Sequence, residues 1–329
     1  MIGASGSPCI VDSIYGYMKN KRGTSLTTNA PAHQTETPVK QSRYSLLYVC
    51  VAVCFFSTSA VFVRWSDPFS SIEIAFWRLA VAAALVGIMG LLTHTRILLK
   101  RQEVPRFLFY GLITALHFFF YIAALSFTTI AHSLALVYTS PIFVTILSAI
   151  FLREPLPWRK YLGIGVAVVG VAIMAGFQPH YTACDLSGTG TCMPLGDGLA
   201  ILSAICLATY TVVGRSERDR HPLFRYTFNV YGLAALWLLP ATLYFAFRHP
   251  YPLGAVAAVL ALGIFPLGFG HTLYNAAIRK VHATYANLIA TQEVTGGIIL
   301  GVLWLGEIPS LLTILGVVIT LVGILGVLL

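Results

Sequence analysis

The chain has 329 residues, of which 57% are hydrophobic and 10% charged, and its mean hydropathy is +0.80. A soluble domain carries about 25% charged residues. This chain cannot cover a water-facing surface with so few, whereas a surface against lipid needs none. The 21 basic and 12 acidic side chains give a net charge of +9. The basic groups sit in short connections between apolar segments and are not gathered with aromatic partners on one face, which excludes nucleic acid as a partner.

Residues 1–43 are polar and rich in Ser, Thr, Gly and Lys, and lack the apolar core of a cleavable leader. They read as a cytoplasmic, disordered tail. Apolar runs then fall near 44–64, 71–93, 106–128, 130–152, 159–177, 195–214, 224–246, 253–274, 281–304 and 310–329. Each is long enough to cross roughly 30 Å of hydrocarbon as a helix. They are continuous, not alternating, so a transmembrane barrel is excluded. The predicted fold is an all-α polytopic membrane protein with ten transmembrane helices.

Basic residues set the orientation. The tail holds Lys19, Lys21, Arg22, Lys40 and Arg43, and alternate connections hold Arg96 to Arg106, Arg153 to Lys160, Arg215 to Arg225, and Arg279 with Lys280. The opposite connections hold only Arg64 and Arg248. By the positive-inside rule both termini are cytoplasmic.

The sequence also repeats itself at an offset of 153 residues: Tyr121-Ile-Ala-Ala124 matches Tyr274-Asn-Ala-Ala277, Leu152-Arg-Glu154 matches Leu305-Gly-Glu307, Gly163 matches Gly316 and Gly170 matches Gly323. The uncharged connection around Ser126–Thr129 matches one that contains Arg279 and Lys280. Equivalent turns therefore lie on opposite sides of the membrane, as two inverted five-helix repeats require. The repeats span 44–177 and 195–329, joined by an extracytoplasmic loop, 178–194. Small residues in the fifth and tenth segments, Gly163 and Gly316 among them, read as a helix–helix seam. Cys184 and Cys192 share the outer loop and are candidates for a disulfide. Cys50, Cys54 and Cys206 read as packing residues.

The pattern Pro141 … Phe151-Leu-Arg-Glu154 … Gly163, its echo Leu303-Trp-Leu-Gly-Glu307 … Gly316, and Phe76-Trp-Arg78 together resemble the EamA family of the drug/metabolite transporter superfamily. The resemblance covers residues 44–329. It implies ten helices in inverted halves, export or exchange of metabolites such as amino acids, and a central site formed mainly by the third, fourth, eighth and ninth helices. Two positions depart from the pattern: Arg153 stands where glycine is common, and Val294 matches Pro141. Glu154 and Glu307 close membrane segments near an interface and read as structural ends.

Ionisable groups at lipid depth are costly and normally face a cavity or one another. Glu293 lies about halfway along the ninth segment, beside Thr291, Gln292 and Thr295, and matches Ser140, which follows Tyr138 and Thr139 and precedes Pro141. Glu293 either locks helices together or binds a solute amine or a proton. Pro141 lacks an N–H and can bend its helix or free a carbonyl. Arg78 either neutralises a solute carboxylate or pairs with Glu73, Glu293 or a backbone carbonyl. His117 opens the aromatic run to Tyr121, which is either lipid-facing filler or a cavity wall. His271, Tyr274 and Asn275 share one helical side and form either half of a pocket or a helix–helix contact.

Together these features predict an integral plasma-membrane protein, in a bacterial inner membrane, that moves a small solute by alternating access. Channel, membrane-enzyme and signalling or structural readings are the alternatives. There is no nucleotide-binding loop and no metal-ligand or nucleophile–base spacing, so neither an enzyme nor a bound cofactor or metal is expected. The expected partners are the solute, membrane lipid and protons as coupling ions, in a monomer or homodimer.

Overall fold

The computed structural model of the chain describes residues 43–127, 133, 136–174, 193–246, 248, 250–305 and 310–329. Glu307, His132, Cys184 and Cys192 lie outside the described residues. The regular secondary structure among the described residues is helical throughout: α1 (Arg43–Ser57), α2 (Ser59–Trp65), α3 (Ser71–Leu92), α4 (Val104–Phe127), α5 (Ser140–Leu147), α6 (Trp158–Met174), α7 (Met193–Ser216), α8 (Leu223–Phe245), α9 (Leu253–Leu262), α10 (Thr272–Ile278), α11 (Ala283–Ala290), α12 (Glu293–Leu305) and α13 (Leu311–Leu328). Two π-helical stretches, Ser148–Leu152 and Gly263–His271, continue α5 and join α9 to α10.

Among the described residues six stretches are long and apolar enough to cross a membrane: Ser45–Trp65, Ser71–Leu92, Val104–Ala124, Pro194–Ser216, Leu223–Phe245 and Leu253–Ile278. Ser140–Leu152 and Ile314–Leu328 are shorter apolar helices. The protein is therefore an all-α polytopic membrane protein. Its outward faces carry large apolar side chains such as Leu92, Leu253 and Leu311, which suits hydrocarbon and would be untenable in water.

Local chemistry defines the helix ends. Ser70 caps α3 in a reciprocal box: its hydroxyl accepts from the Glu73 N–H, and Glu73 Oε2 accepts from the Ser70 N–H at 2.9 Å. Such a box satisfies two of the N–H groups that a helix start leaves without partners. The other Glu73 oxygen accepts from Tyr251 at 2.8 Å.

The helices pack in pairs: α6 with α13, α3 with α8, α4 with α7, and the α9–α10 rod with α1 and α2; α5 packs on α7, and α12 on α1. A shift of 153 positions turns α6–α13 and α3–α8 into themselves, and exchanges α4–α7 with the rod on α1 and α2, and α5–α7 with α12–α1. In the α6–α13 pair the backbones touch. A Cβ added to Gly170 would lie 2.4 Å from Thr320 N, and one on Gly323 2.4 Å from Ala167 N, so neither position admits a larger residue without separating the helices. Gly163 faces Val327 and Gly323, and the Gly316 carbonyl accepts from the Thr320 hydroxyl at 2.8 Å. Lipid supplies no hydrophobic drive between helices, so contact of this kind is what holds them together. Of the thiols in the apolar segments, Cys206 is buried, whereas Cys50 and Cys54 are exposed on the outer face and do not serve as core packing.

Candidate functional site

Three of the apolar segments are interrupted, each at a threonine. α1 gives way to α2 at Thr58, the helix before α5 breaks at Tyr138–Thr139, and α11 gives way to α12 at Thr291–Gln292. In each case the hydroxyl donates to the carbonyl three residues back: Thr58 to Phe55 (2.7 Å), Thr139 to Leu136 (2.6 Å) and Thr291 to Leu288 (2.7 Å). A side chain that takes a helical carbonyl competes with the backbone ladder and loosens it. Pro141 adds to the second break, because it stands in the first turn of α5 without an N–H. The second and third breaks are 153 residues apart. A fourth irregularity, the π-helical stretch Gly263–His271, contains Pro266.

The irregular segments meet around one cavity of about 50 Å³. Its walls include Arg78 of α3, His117 and Tyr121 of α4, Tyr138 and Ser140 at the α5 break, His271 and Tyr274 at the start of α10, and Glu293 at the start of α12. Non-helical backbone at membrane depth is tolerated where it lines a cavity. A buried water needs roughly 10–15 Å³ on this measure, so the space holds a few waters. A metabolite enters only if the walls part.

Glu293 is not in the middle of a continuous helix. It is the first residue of α12, where the helix dipole favours a negative charge. The Tyr138 hydroxyl lies against its carboxyl. Ser140 donates to Asn287 Oδ1 at 3.0 Å, and Asn287 Nδ2 reaches the Tyr274 hydroxyl at 3.4 Å. Below them Thr145 meets Thr284 at 3.2 Å. His117 is fastened to α7, its Nδ1 lying 2.9 Å from Ser203 Oγ and its carbonyl accepting from that hydroxyl. His271 packs its ring on Phe56 and Phe118, at centroid distances of 4.5 and 5.3 Å.

Arg78 is 2% exposed and holds its guanidinium carbon 4.3 Å from the centre of the Phe118 ring. Pairing with Glu73 is not what the structure shows, since that carboxylate is occupied by Ser70 and Tyr251.

Asn275 is not part of the cavity. Its amide turns toward α7 and α8, donating to Tyr210 and to the His271 carbonyl (2.8 Å) and approaching Tyr231 at 3.4 Å. Conversely, Asn287, Phe56, Ser59 and Pro266 line the cavity but do not stand out from the sequence by charge. Asn287, a lone amide in an apolar run, is the one a search for uncharged polar groups would find. Trp77, Trp237 and Trp304 are exposed, and Trp237 donates to the Leu108 carbonyl at 3.0 Å.

One end of the bundle carries a continuous ionic network. Arg215 grips Glu154 with two bonds, at 2.7 and 2.8 Å, and donates with its remaining nitrogen to the carbonyls of Ile278 (2.8 Å) and Val281. His282 Nε2 lies 3.0 Å from the Glu154 carbonyl, and Arg279 donates to the His221 carbonyl at 2.7 Å. His221 sits 3.4 Å from Glu217 and 3.9 Å from Glu103, which Arg225 binds at 2.7 Å. Burial pushes Glu103 up, but the Lys100 N–H and Arg225 outweigh it and hold the carboxyl below its ordinary value.

Residues 43–176 and 194–329 each match the EamA-like transporter family. The chain belongs to that family. It is therefore a membrane transporter of small solutes and not an enzyme. Among similar proteins, an uncharacterized transporter of Archaeoglobus fulgidus is 26% identical over 84% of this chain and 96% of its own length. The pseudopaline exporter CntI of Pseudomonas aeruginosa is 27% identical over 84% of this chain and 93% of its own. A crystal structure at 18% identity superposes with a TM-score of 0.73, covering 86% of this chain and 97% of that one, which speaks for the fold alone.

Proposed function

We propose that the chain exports or exchanges an amino acid or related metabolite by alternating access around the cavity bounded by Arg78 and Glu293. The observation that carries this is the pair of breaks, 153 residues apart, that bring Ser140 and Glu293 to one cavity. Transporters built from inverted repeats place their sites at such discontinuous helices. The packing pairs that survive a shift of 153 residues favour ten helices in two inverted halves, 44–177 and 195–329, with 178–194 as an outer loop. The cavity of about 50 Å³ is too small for a metabolite, so a solute is admitted only when the walls part. Rocking the halves would open it to either side.

The ionic network gathers Arg215, Arg225 and Arg279 at one end, which favours that end and both termini as cytoplasmic, in a plasma membrane of the bacterial inner type. Glu293 supplies the site for a solute amine or an exchanged proton. A probable terminal-alkyne amino-acid exporter of Streptantibioticus cattleyicolor, 27% identical over 57% of this chain and 61% of its own length, lends weight to an amino-acid-like cargo. A channel reading has no comparable support, because the direct polar contacts Ser140–Asn287 and Thr145–Thr284 bridge α5 and α11 where a continuous pore would need them apart.

The test is counterflow of labelled amino acids in proteoliposomes. Saturable exchange accelerated by solute on the opposite side is expected. A flux that rises linearly with concentration and shows no such acceleration would replace the carrier by a pore.

A further inference from the structure

We propose that Arg78 is the docking point for a carboxylate of the carried solute, so that the cavity selects small carboxylic acids over the matching amides and amines. This rests on the transport reading and adds a ligand class and a contact to it.

Arg78 lacks acceptors for two of its donor atoms. Its Nε and Nη1 are buried and have no hydrogen-bond partner in the protein. Among the described residues no carboxylate comes within 4 Å of the guanidinium. Glu73, five residues earlier on the same helix, is held by Ser70 and Tyr251. Glu293 lines the same cavity beside Tyr138 and attracts Arg78 across it, but does not close to ion-pair distance or accept from its Nε or Nη1. The two imidazoles that share the wall offer no negative charge: His117 is tied to Ser203, and His271 Nδ1 is itself without a partner.

A buried cation with unmet donors is among the costliest arrangements a fold can hold, and hydrocarbon cannot relieve it. Yet the side chain is held in place by the Phe118 face at 4.3 Å, a cation–π contact that orients the plane and leaves its N–H donors unsatisfied. Among the described residues none accepts from Nε or Nη1, which leaves the contents of the cavity to do so. A guanidinium is a planar fork of donors matched to the two oxygens of a carboxylate, which a point charge such as lysine does not reproduce. A structural role predicts the opposite: removal of Arg78 would then break a contact that stabilises the empty protein.

The experiment uses the full chain in detergent or nanodiscs, with phenylalanine and leucine, their primary amides, and phenethylamine and isopentylamine as probes, read by calorimetry. The acids are expected to bind at least about tenfold more tightly than the amides. Arg78→Gln should abolish that preference and Arg78→Lys should retain part of it. With no probe present, Arg78→Met should melt at or above the wild-type temperature, since it removes a buried charge that no carboxylate among the described residues meets at ion-pair distance and two donors without acceptors.

An acid preference unchanged in Arg78→Gln overturns the assignment. So does a wild type that binds acids and amides alike or binds neither, and so does a fall of several degrees in Arg78→Met. Proteoliposome flux of a solute without a carboxyl group would likewise remove this inference while leaving the transport reading intact.

Discussion

Two regions of the molecule obey the same 153-residue symmetry and are built in opposite ways. Where α6 meets α13, the helices are regular and apolar and lie so close that Gly170 touches the Thr320 backbone. Around the cavity, the helices are broken by threonine back-bonds, widened into a π-helical stretch and lined with Arg78, Glu293 and two histidines. The difference is one of mechanical role. A seam in lipid is stabilised by contact area, so every irregularity weakens it. A site that must open tolerates unsatisfied and loosely packed groups, because the cost of repacking them is then low.

The largest effect should come from the seam. Gly170→Leu forces a side chain into Thr320, and overpacking costs about 1–3 kcal/mol even where neighbours can give; here the obstacle is backbone. Membrane abundance should collapse, as measured by fluorescence-detected chromatography of a tagged protein, while Gly165→Leu, where an added Cβ meets nothing within 4 Å, should leave it unchanged. Equal loss in both would mean that the seam is not defined by contact.

Next comes the ionic end. Arg215→Met strips Glu154 of its bidentate partner and two carbonyls of a donor. Breaking a buried pair costs about 3–5 kcal/mol, less here because Glu154 is 24% exposed. A clear drop in melting temperature is expected, and Arg215→Lys should recover only part of it.

Glu293→Gln keeps the shape of the side chain and removes its titratable charge. Abundance and melting should stay near wild type, whereas initial flux at matched abundance should fall about tenfold or lose its pH dependence, the loss expected of one charge-assisted contact. An unchanged rate and pH profile would reduce Glu293 to a helix-start residue and move attention to Ser140, Asn287 and Tyr274.

The smallest effect is a pH trend at the ionic end. Glu103 has its folded value below the unfolded one, which is about 4.3, so the unfolded chain binds more protons through that range and stability rises with pH. The contribution is present above about pH 4.3 and is lost on acidification. Melting temperature between pH 6 and 3 should fall less steeply in Glu103→Gln than in wild type. Parallel curves would assign the acid sensitivity to another group.

Much of this was legible without coordinates. Low charge, long apolar runs and basic connections identify a polytopic helical membrane protein because hydrocarbon punishes every exception. For the same reason the exceptions themselves, Arg78, His117, His271 and Glu293, stand out at once, and all four line the cavity. The repeat is equally visible, since both copies solve the same packing problem with glycines at matching positions.

What only the tertiary structure decided concerns rotation and continuity. Asn275 and Asn287 are equivalent as text, yet one bonds to Tyr210 outside the cavity and the other to Ser140 within it, because a helix's facing depends on its neighbours. The breaks at Thr58 and Thr291 carry no proline or glycine, and a threonine in an apolar run is equally compatible with an unbroken helix; whether its hydroxyl takes a carbonyl depends on the packing around it. That Arg78 has no carboxylate partner could not be read at all from one dimension, since Glu73 and Glu293 are both within plausible reach until the fold assigns one to Ser70 and Tyr251 and sets the other beside Tyr138. Sequence determines which groups must be kept from lipid; the fold determines what each of them meets instead.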